Sequence, residues 1–229
     1  MAKYRALFAF FAFVFIAGFF TAELRPQSRG SRSEGAVSAS FDYYVLSLSW
    51  APEFCAQVNA AAGNPQECAP GAHAGFIVHG LWPEAATGRS PESCGGKTKP
   101  KPVPKSVVNV VLRDMLSPGL IQHEWETHGA CSGLNPFDYF SAIVQVRAAV
   151  QIPVQITSIE DETRESPGQI ETQFAEANPT FPRTAFRTAC PRGELQEERI
   201  CFDKNLKPRA CGSSLSECNI EAVRIRPRS

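Results

Sequence analysis

The sequence has no Cys-x-x-Cys pair, no His-Glu-x-x-His motif, no internal repeat and no formal net charge. Each absence narrows the reading. Without a Cys-x-x-Cys pair, the eight cysteines do not read as a zinc framework. A helical zinc-protease site needs histidines four apart. His123 and His128 are five apart, about 140° around a helix of 3.6 residues per turn. An N-glycosylation acceptor is missing too, because the proline in Asn178-Pro179-Thr180 disqualifies that triplet. That fits a bacterial periplasm. A basic excess is also lacking. Residues 1–40 carry five basic and two acidic residues, which leaves 18 basic against 21 acidic in the remainder. A protein that coats nucleic acid electrostatically would show the opposite balance.

What is present suggests an exported domain. Lys3 and Arg5 precede an uncharged, Phe-rich run at residues 6–22. A positive start and a short apolar run read as a secretory leader over 1–22, with an uncleaved membrane anchor as the alternative. Residues 23–40 are rich in Ser, Arg, Gly and Ala, and read as a flexible linker. The remainder, 41–229, is large enough for one domain with a substantial core. All eight cysteines lie in it: Cys55, Cys68, Cys94, Cys131, Cys190, Cys201, Cys211 and Cys218. An even number behind an export signal implies disulfides, although about 105 connectivities are open. The order of the last four suggests Cys190–Cys218 nested around Cys201–Cys211. A secreted or periplasmic location follows.

The pattern along the domain is mixed. Residues 41–50 and 75–79 read as strands, the second buried. Residues 95–105 hold four Lys and three Pro and form an exposed loop. Helices are expected over 106–116 and 120–128, the second ended by Gly129. A third starts at Asn135-Pro136, and a fourth covers 169–177. Residues 159–165 read as solvated surface. Residues 186–190 and 195–203 look like strands held by the late cysteines. Helices in the middle with strands before and after predict an α+β domain.

Four histidines are present. His73 reads as an ordinary core or surface residue. His79, His123 and His128 lie in two compact segments among apolar and aromatic neighbours. On a helix, Glu124 and His128 share a face, with His123 and Thr127 as a second pair beside them. These four can border one cleft, while Trp125 reads as core. Imidazoles both accept and donate protons near neutrality. RNA carries its own nucleophile, the ribose 2′-OH. One histidine could remove its proton, a second could protonate the departing 5′ oxygen, and a third group could hold the phosphate oxygens. No metal is required. Given the charge balance, RNA would sit a few nucleotides at a time in a local cleft.

On these residues the chain resembles the ribonuclease T2 family. The matching pieces are FDYYVLSLSWAPEFC at 41–55, HGLWPE at 79–84, HEWETHGACSG at 123–133 and the late cysteines. The resemblance implies a ribonuclease T2-like fold, with a central, mostly antiparallel sheet, helices packed around it and disulfide staples. It implies an endoribonuclease that cleaves single-stranded RNA to 2′,3′-cyclic phosphate ends, as a monomer, without cofactor or metal and without action on DNA. His79 would be the general acid, His128 the general base and His123 the phosphate ligand. Glu124 would order the site and stabilise the pentacovalent phosphorus. Trp82 would stack on a base, with Glu84 and Thr127 also facing substrate. The implied disulfides are Cys55–Cys68, Cys94–Cys131, Cys190–Cys218 and Cys201–Cys211.

Three positions depart from many relatives. Thr127 stands where a Lys is frequent, a loss of charge comparable to an oxyanion-hole deletion, ~10²–10³ in rate. Glu84 replaces Asp or Asn, and Ser49 replaces a Gln found in some, so base preference does not carry over. Thr127 alone favours the alternative of a catalytically inactive, secreted binding or signalling relative. A metal-dependent secreted hydrolase is the third reading.

Overall fold

The aromatic segment after residue 40 forms strand β1 (Tyr43–Trp50), which runs through the centre of the fold. The computed structural model describes residues 40–57, 68–69, 72, 74–95 and 100–228. The expected leader or anchor, the linker up to residue 39 and His73 lie outside the described residues, as do Lys97 and Lys99 of the basic loop. Among the described residues no helix is long and apolar enough to cross a membrane.

Strand β1 is followed by a short helix, α1 (Ala51–Gln57), and then by β2 (Phe76–Glu84). Four helices come next: α2 (Lys105–Met115), α3 (Pro118–Thr127), α4 (Pro136–Ala149) and α5 (Val154–Thr157). Strand β3 (Thr163–Glu165) leads into α6 (Pro167–Ala177), and the chain closes with β4 (Phe186–Ala189), β5 (Glu197–Phe202) and β6 (Val223–Ile225). The main sheet has the order β2-β1-β5-β4, with every pair antiparallel. Strands β3 and β6 form a separate antiparallel pair.

Strand alternation divides the sheet into two faces. Leu46, Leu48, Val78, Ile200 and Phe186 join the main core, where α2 contributes Val107, Val111 and Met115. Helix α4 adds Phe140, Ile143 and Val146, and α6 adds Ile170 and Phe174. Each such side chain stabilises the fold by about 1.5–3 kcal/mol. On the opposite face Tyr43, Val45, Cys201 and Leu215 form a smaller cluster, with Trp82 packed against it. The rest of that face is polar and carries the candidate site.

The helix starts share one local grammar. Ser117, Asn135 and Ser166 accept a hydrogen bond from the backbone N–H three residues on, and each is followed by Pro in the first turn. Ser166 and Gln169 complete a reciprocal capping box. Ser117-Pro118 therefore opens α3 rather than only closing α2, so α3 begins two residues earlier than the expected 120–128. Helix α2 ends at Leu116, where the backbone turns left-handed (φ 58°) after a last helical bond from its N–H to Leu112 O.

One further expectation needs correction. Strand β2 continues past Gly80 to Glu84, because Gly80 is a point of close approach and not a stop. The stretch 159–165 is exposed or half-exposed, as expected, and within it Thr163, Arg164 and Glu165 form strand β3 paired with β6. The four disulfides are Cys55–Cys68, Cys94–Cys131, Cys190–Cys218 and Cys201–Cys211, with Cα separations of 5.4, 5.0, 5.5 and 5.3 Å. Those separations lie within the usual bridging range.

Candidate active site

The site begins with an irregularity in β2. The β1–β2 register pairs Ser47 with Gly80 and then Leu48 with Val78, so His79 has no partner across the ladder. It is the extra residue of a β-bulge, a device that re-aims a side chain. Val78 stays in the core, while the His79 side chain is 34% exposed.

Helix α3 approaches the same edge of the sheet. Its Ile121 and Trp125 are buried, and the Trp125 indole donates to Lys101 O at 3.1 Å. Glu124 lies on this inward side but reaches the sheet, where it is 1% exposed. Only a glycine at position 80 leaves room for it. A Cβ there would fall on Glu124 Oε2 and 2.6 Å from Trp82 Nε1. Gly129, two residues beyond α3, has a related role. A Cβ would meet Trp125 at 2.5 Å and the Tyr139 ring at 2.9 Å. It is absent from the positive-φ glycines, so close packing, and not a left-handed turn, requires it.

Trp82 joins the pieces. Its indole N–H donates to Glu124 Oε2 at 2.8 Å. The His79 ring meets it edge-on, and the His128 ring lies tilted by 32° against it, both with centroids 5.2 Å away. His79 Nε2 is 3.5 Å from Glu124 Oε1, and His123 Nε2 is 4.0 Å from the same oxygen. His79, His123, Glu124, His128 and Trp82 are therefore gathered around one carboxylate and one indole. His128 follows the last residue of α3, and its N–H still bonds Glu124 O. Cys94–Cys131 fastens the turn behind it, and Ser93 N–H bonds Thr127 O at 2.7 Å.

Glu84 stands farther along β2, half-buried and bonded to Ser90 Oγ. Burial raises its pKa, opposed by Ser90 and by the charge of Arg199. Thr127 is half-buried at the end of α3.

The two inner imidazoles are driven in opposite directions. Burial pulls the His79 pKa down, but the bond to Glu197 and the charges of Glu124 and Glu197 outweigh it and leave the pKa raised; Arg199 opposes them. His128 falls to about 4, first through burial and then through the charges of His79 and His123. Burial raises the Glu124 carboxyl, against the pull of His79, Trp82 and His123. Among the described residues no three His, Cys, Asp or Glu side chains are grouped to hold a metal ion.

Two neighbours were not anticipated from the sequence. Glu197 Oε1 lies 2.7 Å from His79 Nδ1, and Arg199 donates to Glu197 Oε2. The available signal was a run of three charges, Glu197-Glu198-Arg199, inside a segment that reads as a buried strand.

The sequence profile of the Ribonuclease T2 family matches residues 41–211. A probable ribonuclease of Haemophilus influenzae is 30% identical over 189 residues, covering 77% of this chain and 63% of that protein. A ribonuclease of Aeromonas hydrophila is 32% identical over 131 residues, covering 57% of this chain and 54% of the relative. The chain thus spans less than two thirds of the length of these two relatives. Among solved structures, an RNase-related protein from Calystegia sepium superposes with a TM-score of 0.65 at 19% identity, covering 83% of this chain and all of that one. That likeness concerns the fold, and it agrees with the antiparallel sheet, the surrounding helices and the disulfide staples. With a profile match over most of its length, the chain belongs to the ribonuclease T2 family.

Proposed function

We propose that the protein is an exported endoribonuclease that cleaves single-stranded RNA through the RNA's own 2′-OH. One observation carries the reading. Two imidazoles lie against the same indole, and their surroundings push their pKa values apart. Divergent pKa values in one site mark an acid and a base.

His128, held neutral, takes the proton of the 2′-OH as that oxygen attacks the neighbouring phosphorus. The surroundings of His79 favour its protonated form. Its Nδ1 faces Glu197, so Nε2–H is the proton available to the departing 5′ oxygen. The P–O5′ bond breaks as the new P–O2′ bond forms, giving a 2′,3′-cyclic phosphate and a free 5′-OH. His123, with its side chain 65% exposed beside Glu124, binds the phosphate oxygens. Glu124 keeps His79 and His123 beside its Oε1 and so fixes the spacing of the groups around the pentacovalent phosphorus. Trp82, Glu84 and Thr127 contact the flanking nucleotides. The scheme needs no metal, and DNA, which lacks the 2′-OH, is not a substrate. The four disulfides suit an oxidising compartment outside the cytosol, and the working unit is a monomer.

The test is product-end analysis on a defined oligoribonucleotide and its DNA counterpart, with EDTA present. The expected result is RNA cleavage alone, with 2′,3′-cyclic phosphate ends that disappear in His79→Ala and His128→Ala. Cleavage of the DNA strand, or RNA fragments ending in 3′-OH, overturns the scheme.

A further inference from the structure

We propose that Glu197 is a positioning residue for His79, clamped in its working conformation by Arg199. The inference rests on the acid role proposed above for His79 and extends the site to a strand that does not touch β2. Strand β5 is separated from β2 by β1. Contact between them needs side chains that cross the central strand. The register supplies the path, because Ser49 is opposite Glu197 and Ser47 is opposite Arg199. With period-two alternation, these four side chains share the polar face. Two serines on the central strand leave a shallow trough. Over it Glu197 reaches His79, and the Arg199 guanidinium lies over the Trp82 ring at 5.3 Å.

The Glu197 carboxylate is almost fully occupied. Oε1 faces His79 Nδ1 at 2.7 Å, and Oε2 accepts from Arg199 Nε at 2.9 Å and Nη2 at 2.8 Å. The side chain is 6% exposed. Burial alone would raise its pKa, but the bond to His79 and the Arg199 charge bring it down to about 2. It therefore stays ionised at any pH at which His79 titrates. Three consequences follow for the imidazole. Nδ1 carries a proton in both charge states, so the neutral ring is the Nδ1–H tautomer. The ring plane is fixed by two anchors, Glu197 on Nδ1 and the nearly perpendicular Trp82 indole. The imidazolium is favoured, so the acid is loaded before substrate arrives. The other titratable groups around His79 are Arg199 from β5, Glu124 and His123 from α3, and His128 just beyond it. Of these, only Glu124 is also negative. It faces Nε2, where the leaving oxygen must come. Glu197 is the carboxylate that can support the charge without obstructing the reaction.

The readout is the ¹⁵N and ¹H NMR titration of the His79 ring in the full chain, compared with the pH profile of kcat/KM. In the wild type, a low-field Nδ1–H proton and the Nδ1–H tautomer are expected. Glu197→Gln keeps the shape and an acceptor but removes the charge. Its expected effect is a His79 midpoint lower by about one unit. The basic limb of the pH profile should move down equally, with kcat reduced at neutral pH, KM nearly unchanged and activity recovered at lower pH. An unchanged midpoint in Glu197→Gln overturns the proposal. If that variant does not fold, the wild-type spectrum decides, and an Nε2–H tautomer overturns it. The NMR result stands apart from activity. A wild type that fails to cleave RNA would end the ribonuclease scheme but leave the Glu197–His79 coupling measurable.

Discussion

The indole N–H of Trp82 donates to Glu124 Oε2 across 2.8 Å, joining strand β2 to helix α3 at the point where both imidazoles meet. Glu124 is buried, so each partner it has is worth more than at the surface, about 1.5–3 kcal/mol for a bond to a charged group. Trp82→Phe keeps an aromatic ring but removes the indole N–H donor together with the five-membered ring that carries it. The expected result is a fall in kcat of about 10–100-fold, the same free energy read in the transition state. Steady-state kinetics on a dinucleotide substrate measures it. A variant with unchanged kcat would mean that Glu124 does not need this anchor.

Gly80→Ala tests the same junction from the backbone side. The added methyl clashes with Glu124 Oε2 and with the Trp82 indole nitrogen, so the carboxylate must shift or β2 must bend. Overpacking of this kind costs about 1–3 kcal/mol. A lower melting temperature is expected together with a larger loss of activity than for Trp82→Phe, because His79 sits next to the displaced residue. Thermal melts and rates on the same samples check both. Wild-type activity with an alanine here would contradict the packing described.

These junctions also show where sequence reading succeeds and where it stops. His79, His123, Glu124 and His128 were legible because imidazoles amid apolar residues need a reason, and because helical spacing groups three of the four. The order of the last four cysteines suggested the nested Cys190–Cys218 and Cys201–Cys211 pairs that the structure shows. Gly80 misled, since a glycine after a short apolar run looks like a strand end, and only the partner across the gap explains it. Glu197 was out of reach for a related reason. It lies 118 residues from His79, on a strand two places away in the sheet, and strand order is not written in local periodicity. The short β3 and β6 carry too few residues for a period-two signal, and they stabilise one another only in three dimensions.

Activity should follow a bell in pH. The base must be neutral and the acid protonated. The acidic limb of kcat/KM should lie near the His128 value of about 4, and the basic limb above the ordinary His value of 6.5, where His79 loses its proton. Stability carries the opposite labels. His128 has a folded pKa below its unfolded value, so its contribution is complete above pH 6.5 and is lost as pH falls from there through about 4. His79 contributes fully below pH 6.5, and its share is lost as pH rises through the raised folded value. Denaturant melts between pH 3.5 and 7 should show the first slope, and His128→Gln should flatten it. An unchanged slope in that variant would mean the imidazole is not buried neutral.

Glu198 offers a separate test on the core side of the sheet. Its side chain is fully buried. Thr188 Oγ1 donates to Oε2 at 2.9 Å, and Oε1 has no hydrogen-bond partner among the described residues. Burial raises its pKa well above 4.5, with Glu171 adding to the effect and Thr188, Arg187 and Arg199 opposing it. An acid whose folded pKa is raised weakens the fold once the unfolded chain can ionise. The penalty is absent below about pH 4 and grows as pH rises through 4.5 toward the folded value. Glu198→Gln keeps the shape and the acceptor for Thr188 and has no proton to lose. It should match the wild type at pH 4 and exceed it at pH 7.5 in urea or thermal melts. A variant less stable than wild type at pH 7.5 would mean that the carboxylate is ionised in place and that its charge is needed there.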